Sequence, residues 1–243
     1  MRINHCKVLI DESKELLEIS KKNYEKKFIS TYDKIHFEPK VKSILEHCRS
    51  ILEYTAQDIF ENVISIEDRT IKLKKNKNVY FPYGKKKEDF LKSLKKNLPN
   101  LDKQDLRIYE LIENLQDYKR QPFKKFLSYM CKITNHNKHN QLSESVRQST
   151  KELSIGSYIK VDDSSSVTVE NCIFDGVPSG NFKIENGEIK GAINPRLLSQ
   201  VIIVENGSFV FKDSSNDVIE FLNLCIDEVE NYVVNFYEIL GRH

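Results

Sequence analysis

With 243 residues, 39% hydrophobic and 30% charged side chains, the chain can bury a large core and has too much apolar content for a disordered polymer. No apolar run approaches the length that spans a bilayer, and the first residues lack the apolar stretch of a signal peptide, which predicts a cytoplasmic protein without a membrane partner. The net charge of +2 hides an asymmetry: residues 151–243 hold 7 Lys+Arg against 15 Asp+Glu, leaving 31 against 21 in residues 1–150. Such a split fits a polyanionic partner for the first part, or mutual attraction between the two parts.

Apolar residues from Leu9 through Leu16, Leu17 and Tyr24 to Ile35 recur at helical steps and predict a helix over about 13–34. Pro39 suits the first turn of a second helix, whose apolar stripe runs from Val41 through Ile44, Cys48, Leu52 and Ile59 to Val63. From Arg69 to Lys77 the pattern turns to alternation, Ile71 and Leu73 against Lys72 and Lys74. With a turn at 75–78 into Val79-Tyr80-Phe81, this predicts a small hairpin closed by Pro82 and Gly84. Helical spacing resumes at Phe90–Leu98, returns through Leu106–Tyr118, and restarts at Pro122 with Phe123, Phe126, Leu127, Met130 and Ile133 inward.

After Ser143 the chain turns to short β-type runs, with strands expected at 167–174, 181–184, 188–190, 200–204 and 208–211. Asn186-Gly187 and Asn206-Gly207 each lie between two such runs and predict two hairpins, because both residues tolerate positive φ. A last helix over about 216–240, capped by Ser214, carries a long apolar stripe that is most simply buried against the N-terminal helices. The expected fold class is α+β, mainly α: a helical bundle over 1–150, a small antiparallel β-hairpin insertion over 151–213, and a C-terminal helix over 214–243 packing back on the bundle. The five cysteines are an odd number and widely spaced, and Cys48, Cys131 and Cys225 fall on apolar helix faces as reduced thiols.

The chemistry-bearing residues concentrate in Asn135–Asn140, where two histidines, three asparagines and a lysine stand together. Asn135, Lys138 and His139 approach one another on a single helical turn: an imidazole to move a proton, an amide to orient it, an ammonium to neutralise phosphate. That set suits RNA cleavage by attack of the 2′-hydroxyl on the adjacent phosphodiester, a reaction needing no metal and no cofactor. Asn135, Asn137 and Asn140 also suit the end of that helix, where asparagine accepts left-handed backbone and the histidines lie near the negative pole. His136 and His139 stand three apart, with no carboxylate or cysteine at matching spacing, so no metal site is expected. Lys72, Lys74, Lys75, Lys85 and Lys86, interleaved with Tyr80, Phe81 and Tyr83, form a candidate nucleic-acid-binding stretch or else a solvated face. Arg49 and Glu53 on the second helix, with Asp58 further along, are either a second wall of the site or an ion pair that aligns the bundle.

Several stretches together resemble a family of bacterial helical proteins: Cys48-Arg49-Ser50-Ile51-Leu52-Glu53-Tyr54, Val79-Tyr80-Phe81-Pro82, Leu115-Gln116-Asp117-Tyr118 and Asn135-His136-Asn137-Lys138-His139, followed by a β-rich segment and a terminal helix. More broadly, a helical bundle with a polar-x-x-x-His motif resembles the HEPN superfamily, often ribonucleases of toxin-antitoxin and antiviral defence systems. The resemblance implies that His139 is the catalytic histidine and Asn135 its polar helper, with RNA as substrate and a homodimer or a cognate protein as partner. HEPN proteins carry an arginine shortly before the histidine; here Lys132 stands at the matching separation, and lysine lacks the bidentate grip of a guanidinium. The expected function is a HEPN-like, RNA-directed defence or toxin protein acting as a metal-independent endoribonuclease. The alternative is a non-catalytic module that binds a protein or nucleic acid.

Overall fold

The computed structural model describes residues 1–24, 31–75, 78–139, 145–162, 164–211 and 216–241, with side chains described except at 23–24, 31–36, 136–139, 145–151 and 202–209. The fold is α+β and mainly α, with small antiparallel sheets preceding the C-terminal helix. The chain divides into two compact units, a helical one drawn from residues 1–23, 29–145 and 211–243 and a β unit centred on Val146–Val210. Among the described residues, no helix is long and apolar enough to cross a membrane.

Helix α1 (Ile3–Tyr24) begins ten residues earlier than the apolar pattern predicts. Its buried line is Cys6, Ile10, Ser13, Leu17 and Ser20, and the two serine hydroxyls donate back to Leu9 O at 2.7 Å and Leu16 O at 2.8 Å. Small, self-satisfied serines bury as well as aliphatics, and hydrophobic periodicity does not register them. Arg2 fixes the start: its amide and its Nη1 each donate to the Asp58 carboxylate at 2.7 Å. Tyr237 Oη donates to the same carboxylate at 2.7 Å, so fully buried Asp58 joins the first helix to the last.

Helix α2 (Thr31–Asn62) holds Pro39 in its interior, not in its first turn. An internal proline costs about 3 kcal/mol, but Phe37, Val41 and Ile44 line one buried face across it, at about 1.5–3 kcal/mol each, and that burial wins. The expected stripe from Val41 to Ile59 is buried. Helix α9 (Val218–Ile239) packs along it, with Phe221, Leu222, Cys225, Val229, Tyr232 and Phe236 inward. The cap of α9 is Asp217, which accepts from Glu220 N at 2.9 Å; Ser214 lies outside the described residues.

The first predicted hairpin does not form. Residues Ile66–Lys75 are helix α3, and the alternation is inverted, with Lys72 buried and Ile71 and Leu73 exposed. Ser65 Oγ accepts from Asp68 N at 3.2 Å, Glu67 and Asp68 occupy the first turn, and Lys72, Lys74 and Lys75 the last. A cap plus charges matched to the helix dipole outweighs a β-like pattern. Residues 78–84, in neither helix nor strand, then lead into α4 (Lys87–Asn97). After α5 (Leu101–Gln104), helix α6 (Leu106–Asn114) starts at Asp105, whose carboxylate accepts from Arg107 N and Ile108 N. Pro122 opens only a 3-10 turn, and Phe123, expected inward, is exposed.

In the β unit, strands β1 (Ser145–Ile155) and β2 (Ile159–Asp162) precede the first strand that the sequence pattern predicts, at 167. The strand expected over 167–174 is split into β3 (Ser166–Val169) and β4 (Ile173–Phe174). Short β4 pairs with β5 (Val177–Pro178), while β6 (Gly180–Glu185) pairs with β3 and with β7 (Glu188–Ile193). The Asn186-Gly187 hairpin is present: Glu185 faces Glu188, and the two turn residues have φ of 54° and 71°, as a type I′ turn requires. The Asn206-Gly207 hairpin is absent, because after the short α8 (Pro195–Leu198) residues Val201–Phe211 form one strand, β8. It pairs with β1, also 11 residues long, so the chain through Asn206-Gly207 joins a neighbouring strand and does not fold back on itself. Leu153, Ile155, Phe182 and Ile184 lead this unit's core.

Candidate functional site

The Asn/His cluster belongs to helix α7 (Leu127–His139), and a distant carboxylate starts that helix. Asp117 accepts from the amides of Phe126 at 3.0 Å, Leu127 at 3.2 Å and Ser128 at 2.9 Å, satisfying three donors that a helix N-terminus leaves open. Leu127, Met130, Cys131 and Thr134 form the buried side, with Thr134 Oγ1 donating to Met130 O at 3.0 Å.

Asn135 and Asn137 stand inside the helix, which continues through His139, so they do not end it. Asn140 lies outside the described residues, as do the side chains of His136, Lys138 and His139. Lys132 and Asn135 are exposed, and position 139 follows them at helical spacings of seven and four residues. Lys132 Nζ lies 5.8 Å from the centroid of the Tyr129 ring. Tyr129 in turn packs edge-on against Phe211 and Phe221.

Arg49 and Glu53 are joined, Arg49 Nε donating to Glu53 Oε1 at 2.7 Å. Glu53 Oε2 accepts from the Phe81 amide at 2.6 Å, and the Arg49 guanidinium sits 5.2 Å from the centroid of the Tyr83 ring. Burial works against the charged guanidinium, but its neighbours Cys131 and Glu53 more than offset that and hold it further above its ordinary pKa. Burial likewise pushes the Cys131 thiol up to about 12, with Arg49 pulling the other way. This pair thus meets α7 at Cys131, eight positions before His139 and roughly 12 Å from it along the helix axis. Outside the pair, Glu53 bonds the Phe81 amide and Arg49 lies over the Tyr83 ring.

Lys72 is buried, and its Nζ donates to Asn78 O at 2.7 Å. Burial, and then the charge of Lys96, lower its pKa. Lys74, Lys75, Lys85 and Lys86 are exposed, as are Lys92, Lys95 and Lys96 on α4. The segment Val79-Tyr80-Phe81 alternates, with Val79 and Phe81 buried and Tyr80 46% exposed. Of the three aromatics near residue 80, which sequence reasoning did not separate, Phe81 is buried, Tyr83 half-buried and Tyr80 exposed. Among the described residues, no three His, Cys, Asp or Glu side chains are grouped to hold a metal ion.

Comparison of the chain with family models, with curated proteins and with solved structures finds no match.

Proposed function

We propose that the helical unit is a HEPN-like, RNA-directed module of the defence or toxin kind, cleaving RNA at the exposed face of α7. The observation that supports this reading is that α7 runs through His139 with Lys132 and Asn135 exposed, and His139 follows them at helical steps of seven and four residues. His139 takes the proton of a ribose 2′-hydroxyl. The oxygen so released attacks the adjacent phosphorus, and the bond from phosphorus to the 5′-oxygen breaks. His136, one turn from Lys132, returns a proton to that leaving oxygen, giving a 2′,3′-cyclic phosphate and a free 5′-hydroxyl. Lys132 neutralises the phosphate in place of an arginine, and Asn135 orients the imidazole or holds a phosphoryl oxygen. The nucleophile belongs to the substrate, so the reaction requires no cofactor.

Incubation of the purified protein with mixed RNA in EDTA tests this. Fragments ending in cyclic phosphate are expected from wild type and not from His139→Ala. An equally intact pool in both cases excludes the nuclease reading and leaves a binding module.

A further inference from the structure

Residues 78–84, between α3 and α4, are held along their length by side chains from three helices and by Gln116. Lys72 Nζ takes Asn78 O at 2.7 Å, Asn97 Oδ1 takes the Tyr80 amide at 3.1 Å, and Glu53 Oε2 takes the Phe81 amide at 2.6 Å. Gln116 takes the last residues, with Oε1 accepting from Gly84 N at 3.1 Å and Nε2 donating to Pro82 O at 3.3 Å. Asn97 and Gln116 are buried, and their own amide groups are set by bonds to Ser93 O and Ile112 O, both at 3.0 Å. At Gly84 a Cβ would come within 2.2 Å of Phe90 N, so no larger residue fits without displacing α4.

On this fixed segment Tyr80 alone among Val79, Tyr80 and Phe81 turns outward, and Asn78 Nδ2 donates to its hydroxyl at 3.2 Å. The ring is thus tethered at the backbone and at the phenol while much of its surface meets solvent. Lys74 and Lys75 end α3, and Lys95 and Lys96 end α4; all four are exposed, and Lys96 is near enough to Lys72 for its charge to lower that residue's pKa. Between positions 72 and 97 the sequence has ten lysines and only Glu88 and Asp89 against them.

We propose that segment 78–84 and the ends of α3 and α4 form a docking platform for single-stranded RNA, with Tyr80 stacking on one base and Lys74, Lys75, Lys95 and Lys96 tracking the phosphates. The inference rests on the RNA-directed reading above and names its substrate class. A duplex hides the base faces that a lone ring requires, whereas an unpaired strand presents them. A pre-set ring loses little freedom on binding, which distinguishes Tyr80 from a freely rotating surface tyrosine.

The test uses full-length His139→Ala, so that binding is read without cleavage, and fluorescence anisotropy with a labelled oligoadenylate and a duplex of equal length. The single strand is expected to bind more tightly than the duplex. Tyr80→Ala should weaken single-strand binding about tenfold, while Tyr80→Phe, which keeps the ring and loses only the phenol tether, should weaken it about two- to threefold. Replacing Lys95 and Lys96 by Gln should lower the slope of log affinity against log salt by about 1.4. Single-strand affinity unchanged in Tyr80→Ala, or equal affinity for duplex and single strand, overturns the platform even if the wild type cleaves RNA. Conversely, a wild type that cuts nothing yet shows the Tyr80 dependence keeps the platform and sinks only the catalytic reading.

Discussion

Glu53 Oε2 accepts a 2.6 Å hydrogen bond from the amide of Phe81, so a carboxylate in the middle of α2 holds both Arg49 of its own helix and the segment leading into α4. The Arg49 and Glu53 side chains are 12% and 21% exposed, which makes their pairing worth more than a surface ion pair and less than a fully buried one. Glu53→Ala should destabilise the protein by about 2–3 kcal/mol in urea titration, since it strands a guanidinium and an amide together. Glu53→Gln retains an acceptor for Phe81 and should cost about half as much. Equal losses in the two variants would mean that the charge of Arg49, not the Phe81 bond, sets the penalty.

Asp58 is the more deeply buried carboxylate, with donors from Arg2 and from Tyr237. Asp58→Ala is expected to cost about 3–5 kcal/mol, because two ends of the chain lose their shared acceptor. Hydrogen exchange should then rise first in α1 and at the C-terminal end of α9. A variant as stable as wild type would show that apolar packing alone holds α1.

The thiols give a pH prediction. Burial pushes Cys48 and Cys131 up to about 12 from the ordinary 9.0. Because their folded pKa values are raised, their contribution to stability is complete below about pH 9 and is lost as pH climbs toward 12. Denaturation midpoints should fall across that window. At pH 8 a thiol reagent should label exposed Cys172 at once and buried Cys6, Cys48, Cys131 and Cys225 only on unfolding. Rapid labelling of more than one thiol in the native protein would contradict the buried placement.

What the sequence made legible was what apolar periodicity encodes: the long stripes of α2 and α9, the inward side of α7, and the Asn186-Gly187 turn. It misled where polar groups decide. Ser13 and Ser20 hid a buried helix face, Ser65 and Asp68 turned an alternating run into α3, and the Asp117 carboxylate, not Pro122, started α7. Asn206-Gly207 failed as a turn signal because the pair permits positive φ without requiring it, and β1 was available alongside. At the candidate site, the spacing of Asn135, Lys138 and His139 was visible in the sequence, and the structure adds a helix that runs through His139 with Lys132 and Asn135 exposed.

Single-turnover cleavage of RNA, in EDTA, by wild type, His139→Ala and Lys132→Ala measures the proposed chemistry most directly. If α7 performs it, His139→Ala abolishes cleavage and Lys132→Ala slows it by about a hundredfold or more. Cleavage that survives loss of His139 at the wild-type rate contradicts it.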